Sequence, residues 1–168
     1  DATVLHVVSG WAQQVGAAQL MRIAPGVGQS AVVCDPEHLR RVMINLLDNA
    51  LRYASQSAGA IDVSTSLSTS GQVQLRVWSD GQPLEKTVQA HLFEPFFSSE
   101  SRSSGLGLYI CRELCERYGA LIGYQRAMRH GTEGNEFFVL FESADLPAHG
   151  KSATELPTKP LFFDDLPH

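Results

Sequence analysis

No stretch of this chain reaches the roughly 18 consecutive apolar residues that a membrane helix needs, so the sequence predicts no membrane contact by this segment. Asp1 and its polar neighbours do not read as the opening of a signal peptide, and a cytoplasmic setting is expected. Basic residues are also scarce. Thirteen Lys and Arg against eighteen Asp and Glu give a net charge of -5, which excludes the clustered positive surface that binding to nucleic acid requires. A single bound nucleotide needs only one or two cations. Cysteine is limited to three residues, an odd number that argues against a disulfide framework. Cys111 and Cys115 share a helical face and form a conceivable metal pair, but two ligands do not make a zinc site, and buried reduced thiols are the expected state. No internal repeat is present.

What the chain does have is enough apolar content, 43% of 168 residues, for one sizeable core and not for two ordinary domains. Residues 1–142 read as one α/β domain, and 143–168, rich in Pro, Ala, Ser, Thr and Lys, as a tail that is disordered or loosely docked. Within that tail Leu161, Phe162 and Phe163 stand out as a possible docking motif.

Helical spacing of Val4, Val7, Val8, Trp11 and Val15 predicts a first helix over Thr3 to Ala18. Met21 to Ile23 and Ala31 to Cys34 read as short strands around a PGVGQ turn. Asp35-Pro36 then supplies an N-cap and a first-turn proline for a long helix through Tyr53. Ile61 to Leu67 and Val73 to Trp78 alternate as a hairpin with one buried face, Leu106 to Tyr118 returns to helical spacing before Gly119, and Leu121 to Gln125 with Glu136 to Phe141 complete a sheet.

The long helix carries the most informative pair. Asn45 and Asn49, one turn apart, lie on one side, while Leu46, Leu47 and Leu51 pack elsewhere round the axis. Such amides are often merely solvated or capping, yet each also offers a carbonyl oxygen to a hard cation and donors to a phosphate. Downstream follow, in order, WSDGQPL (Trp78 to Leu84), LFEPFFSS (Leu92 to Ser99), SSGLGLYI (Ser103 to Ile110) and GNEFFVLF (Gly134 to Phe141).

This ordered set resembles the N, G1, F, G2 and G3 boxes of the histidine-kinase catalytic and ATP-binding domain. That domain belongs to the gyrase, heat-shock-90, kinase and mismatch-repair ATPase superfamily. The likeness covers roughly Thr3 to Phe141, and GLGLYICRELCE after LFEPFF is most similar to the NtrB and PilS groups of sensor kinases, the second of which controls type IV pilus genes. It implies a two-layer α/β sandwich of the Bergerat type, a mixed sheet under three helices, with ATP and Mg2+ as cofactors.

By the same resemblance Asn49 is the expected magnesium ligand and Asn45 a second one, directly or through water. Where superfamily members hydrolyse ATP with water, the place of Asn45 holds a glutamate acting as general base. An amide cannot take a proton, so transfer to a partner's side chain is favoured over hydrolysis. Arg52 and Tyr53 match the basic and aromatic positions after the N box, with Arg52 alternatively a solvated surface charge. The loop Gly105-Leu106-Gly107-Leu108 brings backbone N–H groups to the phosphates. Residues 98–104 read as a lid in which Arg102 is the sole cation and Ser104 keeps a hydroxyl. Phe93 is expected in the core, with Phe96 and Phe97 at the lid base.

Departures from the family pattern are concentrated where adenine is read. The usual Asp-x-Gly-x-Gly becomes Ser79-Asp80-Gly81-Gln82-Pro83, so the carboxylate is displaced by one residue; Asp80, carried inward by a turn, is the expected adenine contact beside Gly81. Ser103 replaces a glycine, and Asn135 stands for a threonine in the last motif.

None of His6, His38, His91 and His130 lies in the His-Glu-x-x-x-Pro context of a phosphoacceptor. The resemblance therefore implies a histidine-bearing dimerisation domain as a separate partner, a response regulator as an indirect one, and no self-labelling by this chain. A nucleotide-independent interaction module and an anti-sigma-type serine kinase are the alternatives.

Overall fold

The computed structural model of the protein describes residues 1–97 and 105–144. In chain order these form α1 (Ala2–Val15), a 3-10 turn (Ala18–Leu20), β1 (Met21–Ala24), α2 (Pro36–Tyr53), β2 (Ile61–Leu67), β3 (Val73–Ser79), α3 (Lys86–Ala90), α4 (Gly107–Arg117), β4 (Leu121–Arg129) and β5 (Thr132–Phe141). No described helix is long and apolar enough to cross a membrane. The predicted lid, with Arg102 and Ser104, and the tail from residue 145 lie outside the described residues.

The five strands make one mixed sheet in the order β1-β2-β3-β5-β4. β1 and β2 run parallel with α2 as the connection between them, and the other three pairings are antiparallel. Alternation along each strand decides what each face meets. Val63, Leu75, Val77, Phe137 and Val139 point into a core shared with Val8, Trp11, Met43, Leu46, Leu47 and Cys111 from the helices. Three long helices and the short α3 therefore accompany the mixed sheet, the α/β architecture that the sequence implied.

α2 begins where the sequence placed its cap, with Asp35 accepting a 2.8 Å bond from the Glu37 N–H and Pro36 needing no partner at the first turn. It buries Val42, Met43, Leu46, Leu47 and Ala50. α1 lays Val4, Val7, Val8, Trp11 and Ala12 inward and stops at Gly16, whose φ of 69° suits glycine. One bond links the two helices on their wetter side: Trp11 Nε1 donates to Asp48 Oδ1 at 2.8 Å.

Two sequence expectations are corrected here. Ala31 to Cys34 is not a strand. It makes a single antiparallel bridge, Val32 with Ser143, because the chain there crosses the end of the sheet toward the α2 cap, leaving Val33 75% exposed. The β2–β3 hairpin does not bury only one face either. Ile61 to Thr65 are buried in succession, Asp62 and Ser64 included.

The reason is a second, self-made cover on the outer face. A Cβ on Gly134 would lie 2.4 Å from the Trp78 ring, and one on Gly123 would lie 2.4 Å from the Phe138 ring, so each aromatic packs directly against a glycine. Glu136, 1% exposed, is held there by Arg129 and by Gln125 at 2.7 Å, and His130 at the β4–β5 turn reaches Asp62 at 2.9 Å. Buried carboxylates persist only with such partners.

At the end of the described residues, Ala144 N donates to the Ala31 carbonyl at 2.9 Å.

Cys111 and Cys115 are buried in the seam between α4 and α2, the Cys111 thiol donating to the Val42 carbonyl at 3.7 Å. Burial, reinforced by their neighbouring thiols, pushes each up to about 12 from an ordinary 9.0. The folded state thus holds these protons after the unfolded chain has released them. Their contribution is intact below pH 9 and is lost as pH rises toward 12. Urea unfolding should show stability falling by about 1.4 kcal/mol per pH unit per thiol across that window. The Cys111→Ala/Cys115→Ala variant should lack that part of the slope, and an unchanged slope would refute it.

Candidate functional site

Helical geometry sets the first wall of the site. With Leu46 and Leu47 fully buried, Asn45 and Asn49 fall at the edge of the buried stripe of α2, each partly exposed. Asn45 faces the start of α4, its Nδ2 donating to the Gly107 carbonyl at 3.3 Å. A Cβ at Gly107 would lie 3.8 Å from the Asn45 Oδ1. The second asparagine and the glycine loop named from the sequence are thus brought together, with Leu106 as the N-cap residue of α4 and Leu108 in its first turn.

Gly105 explains why that loop needs a glycine. Its φ is +67°, and a side chain there would strike the Phe96–Phe97 backbone at 2.6–2.8 Å. Phe96 itself has a positive φ of 61° and is 79% exposed, whereas Phe93 packs edge-on against Phe137 in the core. The base of the predicted lid is therefore pressed against the glycine loop.

The second wall is the end of α2 and the loop after β3. Tyr53 closes α2, and a Cβ on Gly81 would meet the Tyr53 carbonyl at 2.8 Å and the Asn135 Nδ2 at 3.1 Å. Tyr53, Gly81 and Asn135 therefore converge. Arg52, one residue earlier, is exposed in the last turn of the same helix.

Asn135 sits opposite Ser79 in the β3–β5 ladder and is 3% exposed. Its Oδ1 accepts from Tyr124 at 2.7 Å and Arg126 at 3.1 Å, while its Nδ2 donates to the Gln82 carbonyl at 2.9 Å. Arg126 also donates to the Gly81 carbonyl at 2.9 Å. These bonds fix the Gly81–Gln82 turn to the sheet. Burial raises the Tyr124 hydroxyl above its ordinary pKa, against the lowering influence of the Leu84 backbone and Arg126, and so keeps it a donor.

Asp80 takes a different course. Its N–H donates to the Ala60 carbonyl, and its carboxylate accepts from the Ser55 N–H at 2.8 Å and the Ser55 hydroxyl at 2.5 Å. Ser79, 3% exposed, falls on the core face of β3 with Val77 and Leu75, since alternate residues share a face. The structure thus groups Asn45, Gly107 and the lid base at one end and Tyr53, Gly81 and Asn135 at the other, with Asn49 between on α2.

Sequence reasoning missed Ser55, Tyr124 and Arg126, which hold the loop. Only Arg126 left a signal, as a lone cation two residues after Tyr124 on the core-facing side of a strand that reads apolar up to that point.

A sequence profile described as "Histidine kinase-, DNA gyrase B-, and HSP90-like ATPase" matches residues 34–144. The sensor protein kinase PilS of Pseudomonas aeruginosa is 39% identical over 109 residues, which are 63% of this chain and 21% of that protein. The sensor histidine kinase ZraS of Klebsiella oxytoca is 27% identical over 124 residues, 74% of this chain and 25% of its own length. The chain therefore spans between a fifth and a quarter of these relatives. Among solved structures, the mycobacterial sensor histidine kinase MprB superposes with a TM-score of 0.71 at 20% identity, covering 84% of this chain and 94% of that one. The catalytic domain of histidine kinase ThkA in a nucleotide-free form gives 0.66 at 22% identity, covering 84% and 90%. Over residues 34–144, 111 of its 168, this chain belongs to the histidine kinase-, gyrase B- and HSP90-like ATPase family.

Proposed function

We propose that the chain is the ATP-binding catalytic domain of a two-component sensor histidine kinase. It would bind magnesium ATP and donate the γ-phosphoryl group to a histidine on a separate dimerisation domain, which a response regulator then reads. The cytoplasm, where ATP is available, is the setting this requires. The sensor kinases to which the chain is similar support this class, and the likeness to PilS extends the reading to control of type IV pili.

The observation that carries the proposal is the amide at Asn45, facing Gly107 across the seam one turn before Asn49. Two carbonyl oxygens one helical turn apart suit a hard cation that takes oxygen ligands, so the residues present fit magnesium, held by Asn49 and Asn45. When bound, magnesium would neutralise charge on the phosphates. The rest falls to the protein. The glycine loop at 105–107, with Leu106 and Leu108, lets backbone approach the phosphates; Arg52 supplies a cation, joined from the lid by Arg102 and Ser104; Tyr53 and Gly81 border the base. With no carboxylate at position 45 to deprotonate water, the phosphorus–oxygen bond to ADP breaks in favour of a bond to an incoming imidazole nitrogen.

Of the two candidates for contact with the purine, Asp80 is already satisfied by Ser55, which supports Ser79 as the side chain facing the base. The commitments of Asp80 and Asn135 within the protein also favour, as a second reading, a module that no longer binds nucleotide.

Titration calorimetry separates these readings. The chain should bind ATP more tightly with magnesium than without, and Asn49→Ala should remove the metal-dependent part; equal binding by that variant, or none by the parent at millimolar ATP, would reject the site. Restoring a carboxylate with Ser79→Asp should raise the preference for ATP over GTP by about tenfold, the low end of the roughly 1.5–3 kcal/mol of a hydrogen bond to a charged group. If Asp80→Asn loses ATP while Ser79→Asp gains nothing, Asp80 is the reader. With labelled ATP the isolated chain should not label itself, and a fragment bearing the matching histidine hairpin should acquire acid-labile phosphate. Stoichiometric labelling of the chain's own histidines would contradict this.

A further inference from the structure

A groove of about 490 Å³ opens at the end of the molecule where α1 begins, and its walls include Val4, Val27, Val32, Leu39, Val73 and Phe141. None of these residues belongs to the nucleotide site. Its volume falls in the range of cavities that hold a ligand or an anchoring side chain, and its wall is mainly aliphatic. The carboxylate at its rim is already engaged. Asp1 accepts from the Val27 N–H at 3.1 Å, the Gly28 N–H at 2.6 Å and the Thr65 hydroxyl at 2.5 Å, which anchors the 26–30 loop over β2. What remains for an occupant is apolar contact.

The described chain ends at this rim. Ser143 bridges to Val32, and Ala144 N donates to the Ala31 carbonyl; Ala31 and Val32 both line the groove. The sequence then continues through 145–168, in which Leu161-Phe162-Phe163 is the one run of three large apolar residues. Sixteen residues, 145–160, separate Ala144 from Leu161. Their fully extended reach, roughly 50 Å, comfortably exceeds any distance across the groove. Tethering also raises the local concentration of the motif to about the millimolar range, so modest apolar contact suffices.

We propose that Leu161-Phe162-Phe163 docks into this groove of its own chain, with Phe162 as the buried anchor. Docking would strap α1 and the 26–36 loop to the start of α2, the helix that carries Asn45 and Asn49. This stands apart from the nucleotide reading and would hold even for a chain that binds none.

The test uses the full chain with a photo-reactive benzoyl-phenylalanine in place of Phe162. Irradiation followed by mass spectrometry should yield cross-links within one chain to peptides containing Val4, Val27 to Leu39, Val73 or Phe141. Val32→Glu should reduce them, and hydrogen exchange at 27–34 should be faster in Phe162→Ser/Phe163→Ser than in the parent. Cross-links only between two copies would assign the groove to a second molecule and overturn the proposal. Cross-links to another region, no cross-links, or unchanged exchange in the double variant would overturn it as well.

Discussion

Everything at the candidate site depends on the burial of one helical stripe. Val42, Met43, Leu46, Leu47 and Ala50 are 0–3% exposed, and at about 2 kcal/mol for each large side chain removed from water their burial fixes how α2 is rotated about its axis. Once that rotation is fixed, positions 45 and 49 have one place to go. A charge introduced into the stripe would do more than destabilise the domain; it would turn the amides away from Gly107. Trp11, donating to Asp48 from α1, secures the same rotation from the opposite flank.

The second constraint is that, among the described residues, no helix covers the outer face of the sheet. The chain answers it with aromatic side chains packed against glycines and with a carboxylate, Glu136, enclosed by Arg129, Arg76 and Gln125. Gly134 shows how closely this serves the site. A Cβ there would lie 2.2 Å from the Ser79 carbonyl, so the glycine lets β3 and β5 approach closely at the place where Ser79 and Asn135 face each other.

Much of this was legible in the sequence because helix signals are local. Asp35-Pro36 announces α2, Gly119 follows the end of α4, and the order of glycine and asparagine motifs carries the family resemblance. What was not legible depended on long-range pairing. Ala31 to Cys34 has strand-like composition but makes only one bridge among the described residues, and β2 reads as half-buried until His130 and Arg76 are seen to reach Asp62 and Ser66 on its other face. The direction of the Asp80 carboxylate was likewise beyond reach, because it is set by Ser55, which is remote from it in sequence. The roles of Tyr124 and Arg126 appear only when β4 is in register with β5.

The order of strands has a consequence for how the molecule assembles. The β2–β3 and β4–β5 hairpins close over short loops, whereas β3 meets β5 only after the intervening segment with α3 and α4 has been enclosed, and closing a longer loop costs more entropy before any contact repays it. Ser79, Asn135 and the Gly81 turn all belong to that late junction. That junction is therefore the costliest part of the sheet to close, and under the proposed function a nucleotide bound beside it would favour the completed sheet. Ser79 and Asn135 come to face each other only when the two halves of the sheet meet, whatever the integrity of each half alone.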